Sequence, residues 1–308
     1  MRLHDVTPER YRRITLVALI VQVFIVVSGA AVRLTGSGLG CSDWPNCQED
    51  QLVAPLEYHA LVEFVNRLIT FLVVATVAMA VISAYRRLPR RHDLVLLSWG
   101  LVVGVVAQIL LGGLSVIFEL WPPFVMGHLL LSMALVANAV VLHERACRPD
   151  DAVLTPPPDG LRRLRVALMA LTGAVLCAGT VVTGSGPHGG DPEVDRLPLL
   201  VREVTQVHGV LAMCLLLVAG ATAVTAWNRP GVPRRVEWLL GALVVQIAIG
   251  YTQYFTGVPE LLVALHVLGA TVVWLSACRL ALGLTTVTPG DAPGPDATDR
   301  SALASVSA

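Results

Sequence analysis

Charged residues are scarce in this sequence: they make up 14% of the 308 residues, whereas 55% are hydrophobic. Aromatic residues are also few, at 6%, and lysine is absent, so all 22 basic residues are arginines. A soluble domain with so few charges could not cover its own surface, which excludes the ordinary globular classes and favours a membrane protein. The formal net charge is zero, so charge gives no reason to expect a nucleic-acid partner, and we expect none.

Eight apolar segments are each long enough to cross a bilayer, which requires about 20 residues. They cover residues 14–34, 58–85, 94–118, 125–144, 164–184, 202–227, 237–256 and 261–285. The first segment is longer than the apolar part of a removable signal peptide and lacks a small-residue cleavage site. The predicted fold class is therefore an all-α membrane protein with eight transmembrane helices.

The arginines predict the orientation of these helices. Four lie before the first helix, four in loop 2–3, five in loop 4–5, three in loop 6–7 and two on the C-terminal side, which is 18 of the 22. Because cytoplasmic loops are enriched in arginine and lysine, both termini are predicted to be cytoplasmic, in a multi-pass protein of the bacterial inner membrane. The tail, residues 286–308, is rich in Pro, Gly, Asp, Ala and Ser and is predicted to be disordered.

Three features recur in the same order in the two halves of the chain. They are Thr35–Gly38 with Thr183–Gly186, Gln108-Ile109 and Gly112 with Gln246-Ile247 and Gly250, and a histidine 20 residues after each glutamine, His128 and His266. This order favours duplication into two tandem four-helix bundles of parallel topology. We predict an N-terminal half at 1–145, a cytoplasmic linker at 146–163 and a C-terminal half at 164–285.

Four of the eight histidines lie near the outer starts of the even-numbered helices: His59, His128, His208 and His266. Ionisable residues within spans are rare and usually functional, although a packed imidazole is the plainer interpretation of any single one. Imidazole binds iron, copper and zinc, and pairs of histidines without nearby Cys or Asp ligands match heme with two axial histidines. A zinc site would need two more ligands at each pair.

Two further pairs of residues are candidates for chemistry. Cys41 and Cys47 lie six residues apart in the first outer loop and are predicted to form a disulfide, either as a structural link or as a redox-active pair. Glu63 and Arg67 lie one helical turn apart inside helix 2. They predict either a buried ion pair or a carboxylate that transfers protons.

Together these motifs resemble the heme A synthase family over nearly all of residues 14–285. The resemblance depends on the loop from Thr35 to Cys41, with Trp44-Pro45 and Cys47, on Glu63-Phe64-x-x-Arg67, and on the histidines that begin helices 4, 6 and 8. It implies an oxidoreductase that converts a methyl group of heme O to the formyl group of heme A, for use in terminal oxidases.

The resemblance also implies roles for residues. His208 and His266 would be the axial ligands of a heme b in the C-terminal half, and the N-terminal half would hold heme O as substrate and heme A as product. Glu63 matches the functional glutamate of the family, and Cys41 and Cys47 match its outer-loop pair. Expected partners are heme O, membrane lipid, a heme O synthase (a farnesyltransferase) and oxidase assembly factors.

One departure from the family concerns helix 2, where the usual motif is Glu-x-x-His-Arg. Here Asn66 stands at the histidine position, before Arg67. Either His59, two turns earlier, replaces the missing ligand, or the substrate heme has one protein ligand. The predicted cofactor-binding set therefore contains Asn66 and Arg67 beside the four histidines. The second outer loop also lacks a cysteine pair, which excludes a second disulfide there.

Three other functions are compatible with parts of the pattern. A diheme cytochrome b that only transfers electrons would share the histidine pairs but would not need Glu63 or the asymmetry at Asn66. A thiol–disulfide oxidoreductase acting through Cys41 and Cys47 would need a second reactive pair, and the outer loops contain none. A transporter with parallel repeats would leave the four histidines unexplained.

Overall fold

The computed structural model describes residues 5–48 and 53–288, and in these ranges the chain forms eight long helices. Their bounds are α1 Pro8–Leu34, α2 Tyr58–Arg86, α3 His92–Ile117, α4 Pro122–Ala146, α5 Asp159–Ser185, α6 Val201–Ala226, α7 Val232–Phe255 and α8 Glu260–Gly283. All eight are long and apolar enough to cross a membrane, which confirms the predicted fold class.

Several helices begin before the apolar segments that predicted them. The α1 helix begins six residues before the predicted start, at Pro8. Proline suits the first helical position, and Oγ1 of Thr7 accepts a hydrogen bond from the backbone N of Arg10 at 3.3 Å, which caps the helix. Hydropathy locates the membrane-buried part of a helix, whereas in α1 the proline and the capping threonine decide where the helix begins.

The helices pair in the same way in both halves. The α1 helix packs on α2 and α3 packs on α4; correspondingly, α5 packs on α6 and α7 packs on α8. The main contacts between the halves are those of α4 with α5 and α8 and of α8 with α1. The equivalent pairing supports the predicted repeat, and it places the even-numbered helices α4 and α8 against each other at the centre.

Two side chains connect the halves through long-range polar contacts. Nε1 of Trp274 on α8 donates to the carbonyl O of Met133 on α4 at 2.8 Å. Glu144, near the end of α4, accepts from Nη2 of Arg235 on α7 and from Nε of Arg279 on α8, both at 2.8 Å. One carboxylate therefore joins α4 to two helices of the other half.

The Glu144 pairs lead to a prediction about stability. Glu144→Ala removes a carboxylate that is 13% exposed and leaves two guanidinium groups without their acceptor. We expect the free energy of unfolding to fall by about 1–3 kcal/mol, measured as a lower thermal midpoint in detergent.

The matched control is Asp159→Ala, whose pair with Arg162 has side chains that are 80% and 61% exposed. Exposed pairs contribute roughly 0–1 kcal/mol, so this variant should unfold close to the wild-type temperature. Equal midpoints for the two variants would show that Glu144 does not stabilise the contact between the halves.

The predicted disorder of residues 286–308 is wrong for the first three of them. Thr286–Thr288 form strand β2, which pairs antiparallel with strand β1, Val153–Thr155, in the predicted linker. Both segments consist of β-branched and apolar residues, which favour extended pairing. Residues 289–308 lie outside the described part of the chain. The two strands join the segment after α4 to the segment after α8.

The two ends of the bundle differ in charge. One end, called here the arginine end, carries the loops rich in arginine together with the strand pair. There Arg87 is fully buried and donates to Oδ1 of Asp150 at 2.6 Å and to the carbonyl O of Pro89. Arg91 pairs with Asp93 at 2.9 Å. The opposite end, called the disulfide end, contains Cys41 and Cys47.

Candidate functional site

The loop at the disulfide end is closed by a covalent bond. Cys41 and Cys47 form the predicted disulfide, and both side chains are fully buried. Helix α2 holds this loop through two side chains. Oε2 of Glu63 accepts from the backbone N of Cys41 at 2.8 Å, and Arg67 donates to the carbonyl oxygens of Asn46 at 2.9 Å and Asp43 at 3.1 Å.

Glu63 and Arg67 also bind each other. Residues four apart share a helix face, and Oε1 of Glu63 accepts from Nη2 of Arg67 at 2.6 Å and from Nε at 3.1 Å. Glu63 is only 6% exposed, so its charge depends on this pairing. The ion pair that the sequence predicted is present, and the pair fixes the disulfide loop to α2. The sequence did not indicate that the backbone N of Cys41 is the second partner of Glu63.

This arrangement predicts how Arg67 controls the disulfide. Arg67→Ala removes the hydrogen bonds to the loop carbonyls and leaves Glu63 as a buried carboxylate without its cation, which typically costs about 3–5 kcal/mol. We expect the loop to open more often, so that a water-soluble phosphine reduces the Cys41–Cys47 bond at least tenfold faster. Thiol labelling followed by mass spectrometry measures the rate.

Arg67→Lys is the control, since lysine keeps the charge beside Glu63 but cannot bind several carbonyls at once. The rate at which the disulfide is reduced in Arg67→Lys should lie between the rates in wild type and in Arg67→Ala. A rate for Arg67→Ala equal to that of wild type would mean that Arg67 does not hold the loop.

Two histidines of the C-terminal half face each other. His208 on α6 and His266 on α8 have ring centres 6.2 Å apart with an interplanar angle of 62°. Two imidazoles that bind one metal from opposite sides place their ring centres roughly 6 Å apart, since each metal–nitrogen distance is about 2 Å. Nδ1 of His208 lies 3.1 Å from the carbonyl O of Val175, a contact that leaves Nε2 available for a metal.

Glycines on the neighbouring helices give these rings space. A Cβ atom on Gly250 of α7 would lie 3.1 Å from Cε1 of His266, and one on Gly179 of α5 would lie 3.1 Å from Cε1 of His208. Nδ1 of His266 is buried and has no hydrogen-bond partner among the described residues. The spacing, the glycines and the free ring nitrogen fit a heme held by His208 and His266.

His128 of the N-terminal half has the same surroundings as His266. Nε2 of Gln108 donates to the carbonyl O of His128 at 2.9 Å, as Nε2 of Gln246 does to that of His266 at 2.9 Å. A Cβ atom on Gly112 would again lie 3.1 Å from Cε1 of the histidine. The glutamines, which served in the sequence only to mark the repeat, therefore hold the histidine-bearing turns of α4 and α8.

The partner of His128 differs from that of His266. His59 is exposed, lies 3.0 Å from Oγ of Ser37 through its Nδ1, and contacts Tyr58. In the described residues no ring contact joins His59 to His128. Asn66 lies seven residues further along α2, about 10 Å at the rise of an α-helix, and its Oδ1 accepts from Oγ of Ser28 at 2.8 Å.

Other candidate ligands do not gather elsewhere. Within residues 5–48 and 53–288, no group of three or more His, Cys, Asp or Glu side chains could hold a metal ion. Cys177 and Cys214 are free and exposed, and Cys278 is free and buried. The residues brought together are thus Cys41, Cys47, Glu63 and Arg67 in one group, His208 and His266 in a second, and His128 with its glycine and glutamine in a third.

Comparisons with known proteins find similar chains. The family COX15-CtaA, described as a cytochrome oxidase assembly protein, has a model that matches residues 12–59 and 53–188. Heme A synthase of Halalkalibacterium halodurans is 25% identical over 285 residues, which cover 85% of this chain and 93% of the relative. Heme A synthase of Staphylococcus saprophyticus is 25% identical over 295 residues, 90% of this chain and 97% of the relative. A shorter match, to heme A synthase of Geobacillus kaustophilus, is 33% identical over 97 residues, 31% of this chain and 30% of that one.

Proposed function

Because the chain belongs to the COX15-CtaA family of cytochrome oxidase assembly proteins, we propose that it is a heme A synthase that oxidises a methyl group of heme O to the formyl group of heme A. The family and the eight apolar helices make it a multi-pass membrane oxidoreductase of heme A biosynthesis. The observation that carries the proposal is the inequality of two otherwise equivalent halves. One half pairs two histidines, and the other combines a single histidine with a buried glutamate and a disulfide.

The C-terminal half is the proposed site of a resident heme b, which His208 and His266 would hold. Their 6.2 Å separation supports this assignment, since it leaves room for one metal and for no further protein ligand between the rings. A heme held there supplies one-electron redox chemistry. The protein fixes one ring through the carbonyl O of Val175 and the turn of the other through Gln246.

The N-terminal half is the proposed substrate site. His128 would bind the iron of heme O, held in place by Gln108 as its counterpart is by Gln246. The methyl group would be hydroxylated twice, each time in a two-electron oxidation that consumes an exogenous oxidant and adds one oxygen atom, and the resulting gem-diol would lose water to leave the aldehyde. The apolar helices exclude bulk water, and the protein supplies orientation.

Glu63 is the proposed proton-handling group of this site. Its carboxylate lies under the disulfide loop, one turn from Asn66 on α2, with Arg67 and the backbone N of Cys41 as partners. A buried carboxylate on the side of the single histidine can hold or release a proton as the substrate is oxidised. The disulfide between Cys41 and Cys47 fixes the backbone amide to which Glu63 binds.

The orientation and partners are also proposals. Loops rich in arginine are usually cytoplasmic, so the arginine end would be cytoplasmic together with both termini. The disulfide end would then face the outer, oxidising side of the membrane, where disulfides persist. A heme O synthase would supply the substrate, since heme O is an apolar molecule that stays in the membrane. Oxidase assembly factors would receive the product.

The test is to co-express the chain with a heme O-producing farnesyltransferase, purify it and separate its extracted hemes by chromatography and mass spectrometry. We expect heme A, or its hydroxylated precursor, beside heme b. The control is the same strain without the chain, which should contain heme O and no heme A. Heme b alone, with heme O unconverted, would overturn the synthase assignment and favour a cytochrome b that only transfers electrons.

A further inference from the structure

The repeat identifies the residue that corresponds to His208 in the N-terminal half. His208 contacts α5 at Val175. Because Thr183–Gly186 at the end of α5 corresponds to Thr35–Gly38 directly after α1, Val175 corresponds to Val27. On α2 the side chain that contacts α1 beside this position is Asn66, through Ser28. Asn66 therefore contacts α1 at the level that corresponds to the contact of His208 with α5.

An asparagine cannot replace the imidazole that this place holds in the other half. Its amide nitrogen has no lone pair to give, and its carbonyl oxygen suits hard cations such as Mg²⁺ and Ca²⁺ better than heme iron. Here that oxygen, Oδ1, already accepts the hydroxyl of Ser28 at 2.8 Å. The contact fixes the amide so that Nδ2 remains as a donor, and no other hydrogen bond of Asn66 exists within the described residues.

His59 does not compensate for this difference. It lies about two turns from Asn66, roughly 10 Å along α2, and its Nδ1 is directed to Ser37 in the loop after α1. Its side chain is exposed, whereas His128 is half-buried and its Nδ1 is inaccessible. The two rings therefore do not form a pair like that of His208 and His266.

We propose that the iron of the substrate heme has one protein ligand, His128, and that Asn66 presents its amide N–H groups to the open position opposite. This inference rests on the proposed function. In the C-terminal half, His208 and His266 would leave no open position on the iron. In the N-terminal half, Nδ2 of Asn66 would donate a hydrogen bond to a small exogenous ligand that carries a lone pair. Asn66 is a positioning residue of the reaction, because it acts on what binds and not on the methyl group itself.

The experiment uses the full chain, purified with both hemes, and two probes. Electron paramagnetic resonance of the oxidised protein reports the spin state, and carbon monoxide added to the reduced protein reports an open position. We expect one low-spin iron that does not bind carbon monoxide and one high-spin iron that binds it. Asn66→His should convert the second iron to low spin with loss of carbon monoxide binding, and Asn66→Leu should leave it high spin.

The reciprocal variant is the matched control. His208→Asn should make the C-terminal iron high spin and reactive with carbon monoxide, without changing the N-terminal iron. The low-spin signal of the C-terminal half shows that Asn66→His and Asn66→Leu are folded. An N-terminal iron that is low spin and unreactive in wild type would overturn the proposal, and a change to high spin in His59→Ala would then identify His59 as the second ligand.

These outcomes are separate from the failure of the proposed function. Absence of heme A in the co-expression experiment would disprove the synthase assignment whatever the spin states. Conversely, heme A formation by a chain with two low-spin irons would keep the synthase assignment and disprove the role of Asn66.

Discussion

Heme A formation is expected to fall by at least about 100-fold in Glu63→Gln, because general acid–base groups contribute 10²–10⁴-fold to catalysis. Glutamine has the shape of glutamate and can still accept from the backbone N of Cys41, so the disulfide loop should stay in place. It cannot carry the charge that neutralises Arg67, and it cannot exchange a proton. The measurement is the ratio of heme A to heme O in extracts of the co-expressing strain, with total heme content as the second readout.

The second readout separates two roles of Glu63. Loss of heme A with both hemes still bound and the disulfide intact would assign Glu63 to the chemistry. Loss of bound heme or of the disulfide would assign it to holding the loop. Glu237→Gln, an exposed glutamate on α7, is the control and should behave like wild type. Unchanged heme A formation in Glu63→Gln would remove Glu63 from the mechanism.

His266→Ala and His128→Ala are expected to lose different hemes although the two histidines have equivalent contacts. Without His266, the C-terminal iron loses one of two axial ligands, so we expect loss of the low-spin heme b signal and of heme A formation. Without His128, the substrate iron loses the one protein ligand proposed for it, so heme O should not be retained. In that variant the low-spin signal of the His208–His266 pair should persist. Spectra of the purified protein measure the low-spin signal, and analysis of the extracted heme measures the retention of heme O.

The control for these variants is His92→Ala, an exposed histidine at the start of α3, which should retain both hemes. Loss of the same heme in His266→Ala and His128→Ala would contradict the division of the two halves. So would retention of the low-spin signal in His266→Ala. Either result would leave the family assignment intact, since that depends on the sequence match and not on which half holds which heme.

The elements that could be predicted from the sequence are those that local patterns determine. A stretch of about 20 apolar residues must satisfy its own backbone in a bilayer, so eight such stretches give eight helices. Glu63 and Arg67 lie on one face because four residues make about one turn. Cys41 and Cys47 are six residues apart and lie in one short loop, so their pairing also needs little knowledge of the rest of the chain.

Only the tertiary structure decided the contacts between residues far apart in the chain. Glu144 binds arginines that follow it by 91 and 135 positions. Strand Thr286–Thr288 pairs with a segment of the linker, where the composition of the tail had predicted disorder. The proposed correspondence of Asn66 with His208 depends on the contacts with Ser28 and Val175, which neither helix shows by itself. Hydropathy reflects how well each helix is solvated by lipid. The contacts between helices depend instead on the packing of side chains across the whole bundle.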